Sequence, residues 1–159
     1  MSYEKPFALI GIGVPGSGKT TMLRPYAETV EAVYLSADDE RRRLGNESDQ
    51  SLTPQAWSAV HDKAAIALGE GKSVVVDGTF AKESDRRGEV ARLRDMGARA
   101  VIAIYLAVPV DVALERIEQR VDAGGRSVPR CVVERMSEQL RQNPPSSQDG
   151  FDDIVVIKP

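Results

Sequence analysis

The sequence has little cysteine and no long apolar run, and each shortage excludes a class of protein. A single cysteine, Cys131, cannot form an internal disulfide and is compatible with a reducing cytoplasm. The first residues lack the basic and apolar segments of a signal peptide, and no apolar run approaches the roughly 18 residues that span a membrane. We therefore expect a cytoplasmic protein that works without a membrane and without an obligatory protein partner.

An excess of basic charge is also missing. The chain has 21 Lys and Arg against 24 Asp and Glu, which gives a net charge of −3. Proteins that hold long nucleic acid by its backbone are usually basic. The charge balance therefore argues against such a role, although a local basic groove would suffice for a short nucleic-acid end.

The pattern of apolar residues predicts alternating strands and helices within one domain, residues 1–159. Strands are predicted at 7–12, 32–36, 73–76, 99–108 and 153–158. Helices are predicted at 18–29, 53–68, 82–96, 109–120 and 129–141. The segment 38–51 is too polar for a core, and we expect a loop there with at most one helical turn. Strands separated by helices predict an α/β fold, a parallel sheet with helices on both faces.

The stretch "GVPGSGKT", residues 13–20, satisfies the pattern G-x-x-x-x-G-K-[S/T] between a predicted strand and a predicted helix. Glycines let successive backbone N–H groups point at phosphate oxygens, and the following helix presents its positive dipole end. Lys19 is placed to reach the outer phosphates, and the Thr20 hydroxyl to bind Mg²⁺. The pattern therefore predicts a site for ATP with Mg²⁺. Its predicted nucleotide-binding residues are Gly13, Pro15, Gly16, Ser17, Gly18, Lys19, Thr20 and Thr21.

Acidic residues follow two of the predicted strands. Asp38 and Asp39 come just after the second strand, and Asp77 just after the third. Chemistry in such sheets gathers beyond the carboxyl ends of the strands. A phosphoryl-transfer enzyme needs one carboxylate to accept a hydroxyl proton and another to help hold magnesium. Asp38 suits the first role and Asp77 the second. The alternatives are a solvated turn or helix cap for the Asp38–Asp39 pair, and a turn residue beside Gly78 for Asp77.

Several arginines are candidates for contacts with anionic groups. Arg41, three residues beyond Asp38, is either an exposed charge or a ligand for an anionic group on a phosphoryl acceptor. Arg116, Arg120 and Arg126 lie on a predicted helix and in the glycine-containing break after it. Mobile arginines over a transferring phosphate stabilise charge and exclude water. We take Arg120 and Arg126 as catalytic residues, with Arg116 as a third candidate, and expect a lid at about residues 116–130.

Other polar and aromatic residues are predicted to have ordinary structural roles. Arg92, Arg94 and Arg99 should lie on a solvated helix face and at a strand start. His61 is predicted to be a structural or surface histidine, and Trp57 to belong to the core.

Taken in order, the segments "GVPGSGKTT", "LSADDERR", "VVVDGTF", "IYLAVP" and "ERIEQR…GGRSVP" resemble the phage-type polynucleotide 5′-hydroxyl kinase group of P-loop kinases, the AAA-type or zeta-toxin-like ATP kinases. The resemblance runs the length of the chain. It implies a sheet of strand order 2-3-1-4-5. It also implies that Asp38 is the general base, that Arg41 binds a phosphate of a polynucleotide acceptor, and that lid arginines bind the donor phosphates. Residues 143–152 are implied to cover the adenine partly.

One departure from that family concerns the acceptor pocket. The family's "D-x-N" after the third strand is "DGT" here, residues 77–79. We take Arg41, Asp77 and Thr79 as the candidate acceptor-binding residues.

Three functions are consistent with these observations. The first is an ATP-dependent kinase that acts on a polynucleotide 5′-hydroxyl end. The second is a kinase of the same fold that acts on a hydroxyl of a metabolite or antibiotic, which the acidic balance and the absence of a fused repair domain favour. The third, a nucleotide-dependent switch, is disfavoured because no N-K-x-D guanine-reading sequence is present.

Overall fold

A computed structural model describes residues 3–158 as a five-stranded sheet flanked by helices. The strands are β1 (Phe7–Ile12), β2 (Val33–Ser36), β3 (Val74–Asp77), β4 (Ala100–Leu106) and β5 (Asp153–Ile157). The helices are α1 (Lys19–Thr29), α2 (Ala37–Leu44), α3 (Thr53–Gly69), α4 (Glu83–Asp95), α5 (Val110–Asp122) and α6 (Arg130–Gln142). Within these residues, no helix has both the length and the apolar character needed to cross a membrane.

The sheet has the order β2-β3-β1-β4-β5, and every neighbouring pair is parallel. The predicted strand order and α/β fold are therefore confirmed. Register aligns Asp77, the last residue of β3, with Gly11 of β1 and with Ser36 of β2. The loops that follow β1, β2 and β3 consequently leave the sheet at one edge, where α/β proteins place their binding sites.

Two apolar cores lie on opposite faces of the sheet. Successive strand residues point to opposite sides, so Ile10 of β1 belongs to one core and Leu9 to the other. The larger core joins the sheet to α3, α4, α5 and α6, whereas the smaller core receives Leu23 and Ala27 of α1. The sheet therefore holds the loop after β1 between α1 on one side and α5 on the other.

The prediction of a loop over residues 38–51 is wrong for its first part, because Ala37–Leu44 form the helix α2. The Ser36 side chain caps this helix by accepting a hydrogen bond from the Asp39 N–H at 3.0 Å. Acidic residues in the first turn and arginines in the last turn complement the helix dipole. Glu40 is buried because Lys63 of α3 contacts its carboxylate at 2.5 Å. Polarity alone was therefore a poor guide to this segment.

Candidate functional site

The loop between β1 and α1, residues 13–18, curls against α5. Gly16 has φ +85°, in the left-handed region that favours glycine. A Cβ at Gly16 would overlap the carbonyl oxygen of Ala113 and lie 3.0 Å from Cγ1 of Ile117. The glycine is thus required both by backbone conformation and by close packing.

Within this loop a buried hydroxyl group lacks a partner. Ser17 is 2% exposed, and its Oγ makes no hydrogen bond to any of the residues that the structure describes. Buried polar atoms are normally satisfied, so this oxygen fits a ligand that brings a hydrogen-bonding group. Helix α1 begins immediately afterwards at Lys19, and its free N–H groups suit an anion. The predicted phosphate site therefore fits the local structure.

Asp77 lies beside the start of α1 and is almost fully buried. The Thr20 hydroxyl donates to its Oδ2 at 2.8 Å, and the Lys19 ammonium lies 3.8 Å from Oδ1. A hydroxyl and a carboxylate are hard oxygen ligands of the kind that Mg²⁺ uses together with substrate phosphates. Thr20 and Asp77, the two predicted magnesium ligands, are thus in contact and fit the ion.

Tyr34 is a neighbour of this centre that the sequence did not identify. Its hydroxyl also donates to Oδ2 of Asp77. Burial raises the pKa of Tyr34 well above its usual value, and the nearby Asp77 charge raises it further. Tyr34 is therefore a protonated donor that holds Asp77 from the side of β2.

Asp39 faces away from the cavity that contains Asp38. Both of its oxygens accept from Arg24 at 3.1 Å, and the Arg24 guanidinium lies 4.4 Å from the centre of the Tyr34 ring. Burial pushes the pKa of Asp39 upward, but Arg24 and then Arg42 outweigh it and hold this pKa below its usual range. Asp39 therefore ties α2 to α1.

Asp38 faces the lid, with its side chain 45% exposed. Arg126 of the lid contacts Oδ1 at 3.1 Å, and Arg41 donates to the same oxygen. The structure thus brings together two residues that the sequence separates by 88 positions. Both were predicted as catalytic.

Arg41 also lines the cavity, but its guanidinium is engaged by the protein. Its Nε donates to the carbonyl of Glu47 at 2.8 Å, its Nη1 to the Thr53 hydroxyl at 3.2 Å, and its Nη2 to Asp38. The side chain is 5% exposed. A phosphate on an acceptor would reach this group only by displacing one of these partners.

The other two lid arginines lie nearer the phosphate loop. Arg116 donates to the carbonyl of Ser17 at 3.0 Å, and Arg120 lines the same cavity one helical turn further along α5. Residues four apart share a helix face. All three arginines line the cavity; Arg116 contacts the phosphate loop and Arg126 contacts Asp38.

These groups line one main cavity of about 1090 Å³. All of the predicted site residues line it except Gly13, which packs behind the loop and donates its N–H to the carbonyl of Thr79 at 3.3 Å. A smaller cavity of about 430 Å³ adjoins the other side of the phosphate loop and has apolar walls. Its lining includes Leu106, Val108 and Ile157.

The main cavity is also lined by residues that were predicted to have ordinary structural roles. Trp57 is not simply core, because its ring lines the cavity 5.6 Å from the rings of both Phe80 and His61. We name Trp57, His61 and Phe80 the aromatic wall. His61 Nε2 lies 2.8 Å from Oε1 of Glu89, and Arg92 donates to that same oxygen at 2.9 Å. Arg92 is therefore part of the cavity wall, not of a solvated face alone.

Residues 143–152, which the resemblance implies to cover part of the adenine, pack away from the two cavities described above. None of them lines either cavity. They pack along α4 instead, because the fully buried Arg86 donates to Asp149 at 2.8 Å and to the carbonyl of Asn143 at 2.8 Å. A buried guanidinium needs such partners, and this requirement fixes the course of the segment.

The sequence matches a protein-family model and is similar to several known proteins. A family model described as an AAA domain matches residues 9–143. An uncharacterised protein of Mycobacterium tuberculosis is 36% identical over 134 residues, which are 76% of this chain and 26% of that protein. The chain thus spans about a quarter of the length of that relative. UMP-CMP kinase 2 of Caenorhabditis elegans is 30% identical over 123 residues, 69% of this chain and 64% of that kinase.

Solved structures share the fold. A chain of the Pnkp1/Rnl/Hen1 RNA repair complex superposes with a TM-score of 0.79 at 22% identity, covering 95% of this chain and 48% of the other. A gluconokinase from Sinorhizobium meliloti superposes with a TM-score of 0.61 at 18% identity, covering 98% and 84% respectively. Similarity at these identities shows the fold alone.

Proposed function

Because the chain belongs to the AAA domain family and has the fold of P-loop kinases, we propose that it is a kinase that transfers the γ-phosphoryl group of ATP to an alcohol. Residues 1–159 act as one catalytic unit with a lid at about 116–130. One observation carries the proposal: the phosphate loop and Asp38 line the same cavity, and lid residue Arg126 contacts the Asp38 carboxylate.

The donor side of the reaction uses the loop and its neighbours. Backbone N–H groups of residues 13–21 and the unpartnered Ser17 hydroxyl bind the phosphates of ATP. Thr20 and Asp77 would hold Mg²⁺, which would neutralise charge on the phosphates. Lys19 stabilises negative charge at the γ-phosphoryl group. The apolar side cavity beside Leu106 and Val108 accommodates the base.

The chemical step starts at Asp38. Its carboxylate accepts the proton of the acceptor hydroxyl. The hydroxyl oxygen forms a bond to the γ-phosphorus while the bond from that phosphorus to the bridging oxygen breaks, which leaves ADP. Arg41 acts as a positioning residue, because its contacts with Thr53 and Glu47 fix the guanidinium that holds Asp38.

The lid arginines complete the donor side. Arg120 and Arg126 line the cavity between the loop and Asp38, where positive charge stabilises the transferring group and excludes water. Arg116, which contacts the Ser17 carbonyl, orients the lid on the phosphate loop.

For the acceptor we propose a polynucleotide 5′-hydroxyl end, supported by the "S-x-D-D-x-R-R" sequence after β2. A second candidate is a small metabolite or antibiotic with a free hydroxyl. The observation that favours it is the carboxylates of Asp85 and Glu89 in the cavity wall, which disfavour a highly anionic acceptor.

The proposal is tested with γ-labelled ATP, Mg²⁺ and a panel of acceptors: a 5′-hydroxyl oligonucleotide, a nucleoside, a monosaccharide and an aminoglycoside. We expect label on the oligonucleotide. Label on a small molecule alone would support the second candidate, and release of phosphate independent of acceptor would favour a nucleotide switch over a kinase.

Asp38→Asn is the informative variant, and Asp39→Asn is its matched control. Both remove one carboxylate from adjacent positions, but Asp39 faces Arg24 outside the cavity. We expect Asp38→Asn to lower transfer by about 100-fold or more with ATP affinity unchanged, and Asp39→Asn to retain activity. Equal activity of the two variants would exclude Asp38 as the base.

A further inference from the structure

We propose that the aromatic wall, together with Glu89, is the subsite that holds an uncharged, hydroxyl-bearing ring of the acceptor. The inference rests on the proposed function, because the ring belongs to the molecule whose hydroxyl is phosphorylated. The ring is either the terminal sugar of an oligonucleotide or that of a free nucleoside or sugar, and the experiment distinguishes these sources.

The shape of the wall suits a ring. Trp57 meets Phe80 edge to face, with the ring planes at 69°. His61 lies beside Trp57 at a shallower 31°. These rings form an apolar surface in the cavity that the phosphate loop also lines. Pockets that combine aromatic walls with a few placed polar groups are typical of small-molecule and cofactor sites.

The polar group of the subsite is the carboxylate of Glu89. Its side chain is 3% exposed, with Oε1 receiving contacts from His61 and Arg92 and Oε2 lying 3.1 Å from His61 Nε2. An ionised carboxylate has about four lone-pair positions and no donor. Because both oxygens are engaged and little exposed, a hydroxyl of a bound ring would reach the Glu89 carboxylate by displacing the contact of His61 or of Arg92. Asp85 also lines the cavity, so two carboxylates there disfavour a phosphate.

The wall is held in place by the buried Arg86. Phe80 has φ +48°, a strained conformation for a bulky residue. Arg86 donates to the carbonyls of Phe80 at 3.0 Å and Ala81 at 3.3 Å, and Asp149 fixes Arg86 in turn. A ring would thus meet a preformed surface, and its binding would not require the ordering of Phe80.

Ligand binding at the aromatic wall can be measured directly by tryptophan fluorescence, because Trp57 is the one tryptophan of the chain. We would titrate the wild-type protein, without ATP, with a 5′-hydroxyl oligonucleotide, a nucleoside and a monosaccharide while measuring tryptophan fluorescence. Inorganic phosphate is the anionic control. We expect a saturable change with at least one ring-bearing ligand and none with phosphate.

Variants test the same subsite through activity. In Trp57→Leu we expect the acceptor KM to rise roughly tenfold, with the ATP KM within about twofold of wild type, and Trp57→Phe should restore the acceptor KM. Glu89→Gln should also raise the acceptor KM. Glu28→Gln, an exposed position in the last turn of α1 outside both cavities, is the matched control. Circular dichroism would identify variants that fail to fold. The fluorescence titration uses the wild-type protein and therefore does not depend on the folding of any variant.

The outcomes separate this inference from the kinase function. A fluorescence change with the oligonucleotide alone assigns the ring to a nucleic-acid end, and a change with the nucleoside or monosaccharide assigns it to a small molecule. Transfer to an acceptor without a fluorescence change, and with an unaltered acceptor KM in Trp57→Leu, would overturn the subsite but not the kinase. Saturable fluorescence changes without transfer to any acceptor would overturn the kinase function and the assignment of the ring to an acceptor, but not the binding of a ring at the aromatic wall.

Discussion

The phosphate loop consists of the consecutive residues 13–21, whereas Asp38 and the aromatic wall come from α2, α3 and the segment between β3 and α4. The first region binds through backbone groups whose directions are set by local conformation. The second depends on side chains that long-range contacts hold in place. A binding site made of one segment can be identified in a sequence, whereas one assembled from several elements requires the fold.

The largest effect that would test this comparison is expected for Lys19→Ala. Lys19, the first residue of α1, is proposed to stabilise charge at the γ-phosphoryl group, and it lies 3.8 Å from Asp77. We expect transfer to fall by about 100- to 1,000-fold with an unchanged circular dichroism spectrum. Lys72→Ala, an exposed lysine paired with Glu70, is the control. Wild-type transfer by Lys19→Ala would refute the assignment of the loop.

Gly16→Ala tests whether backbone geometry alone sustains the donor region. The added Cβ collides with the Ala113 carbonyl at a residue of positive φ. We expect the free energy of unfolding to fall by about 1–3 kcal/mol and ATP affinity to drop at least roughly tenfold, measured by denaturant unfolding and equilibrium binding. Gly69→Ala, at the end of α3 with nothing within 4 Å of the new Cβ, should change neither. ATP affinity equal to wild type in Gly16→Ala would contradict the close approach.

Arg41→Ala tests whether the acceptor region depends on side-chain support. We expect kcat to fall about tenfold, with the ATP KM nearly unchanged, because Asp38 loses one of the groups that position it. Arg41→Lys should not restore kcat, since an ammonium cannot reproduce three directed contacts of a planar guanidinium. Arg43→Ala, on the exposed face of the same helix, is the control.

The kinetic pattern of Arg41→Ala also separates two roles. If Arg41 instead binds an anionic group of the acceptor, as the family resemblance implies, the loss will appear in the acceptor KM and only for phosphorylated acceptors. A large rise in the ATP KM would assign Arg41 to the donor side.

The smallest effect is expected for Asp39→Asn, which removes the ion pair between α2 and α1. The pair is partly exposed, so the loss of unfolding free energy at neutral pH should be about 0.5 kcal/mol or less. The folded-state pKa of Asp39 is depressed. The ionised Asp39 carboxylate therefore stabilises the folded state at pH values above its pKa in the unfolded chain, about 4. This stabilisation is lost as pH falls through its pKa in the folded state. The free energies of unfolding of the wild-type protein and of Asp39→Asn, measured with urea, should converge in acid. A difference that widened there would contradict the depressed pKa of Asp39.

Most of the fold could be predicted from the sequence. The apolar runs identified all five strands to within two residues at each end, and the strand order followed from the family resemblance. The exception was α2, because the burial of Glu40 depends on Lys63 of another helix, and no local pattern encodes that partner.

The candidate site also has a part that could be predicted from the sequence and a part that could not. Lys19, Thr20 and Asp77, which the structure brings together, could be named as candidates because a short motif and the strand ends predict their roles. Tyr34 was missed, since its contact with Asp77 depends on the pairing of β2 with β3. The aromatic wall was missed for a related reason. Trp57 and His61 are four residues apart on α3, and this helical spacing suits a core equally well. Only the fold shows that the two side chains join Phe80 in lining the cavity.

The buried ion pair of Arg86 with Asp149 limits which substitutions relatives of this chain can accept. Removing either Arg86 or Asp149 leaves an uncompensated charge in a pair that is 1% exposed on both sides, which typically costs about 3–5 kcal/mol. Neither residue can then drift alone, and relatives of this chain should retain both or exchange both together. Because Arg86 also anchors the Phe80 backbone, and His61 contacts the buried Glu89, these parts of the wall are more constrained than the side chain of Trp57. Changes of acceptor among such relatives should therefore appear first on α3.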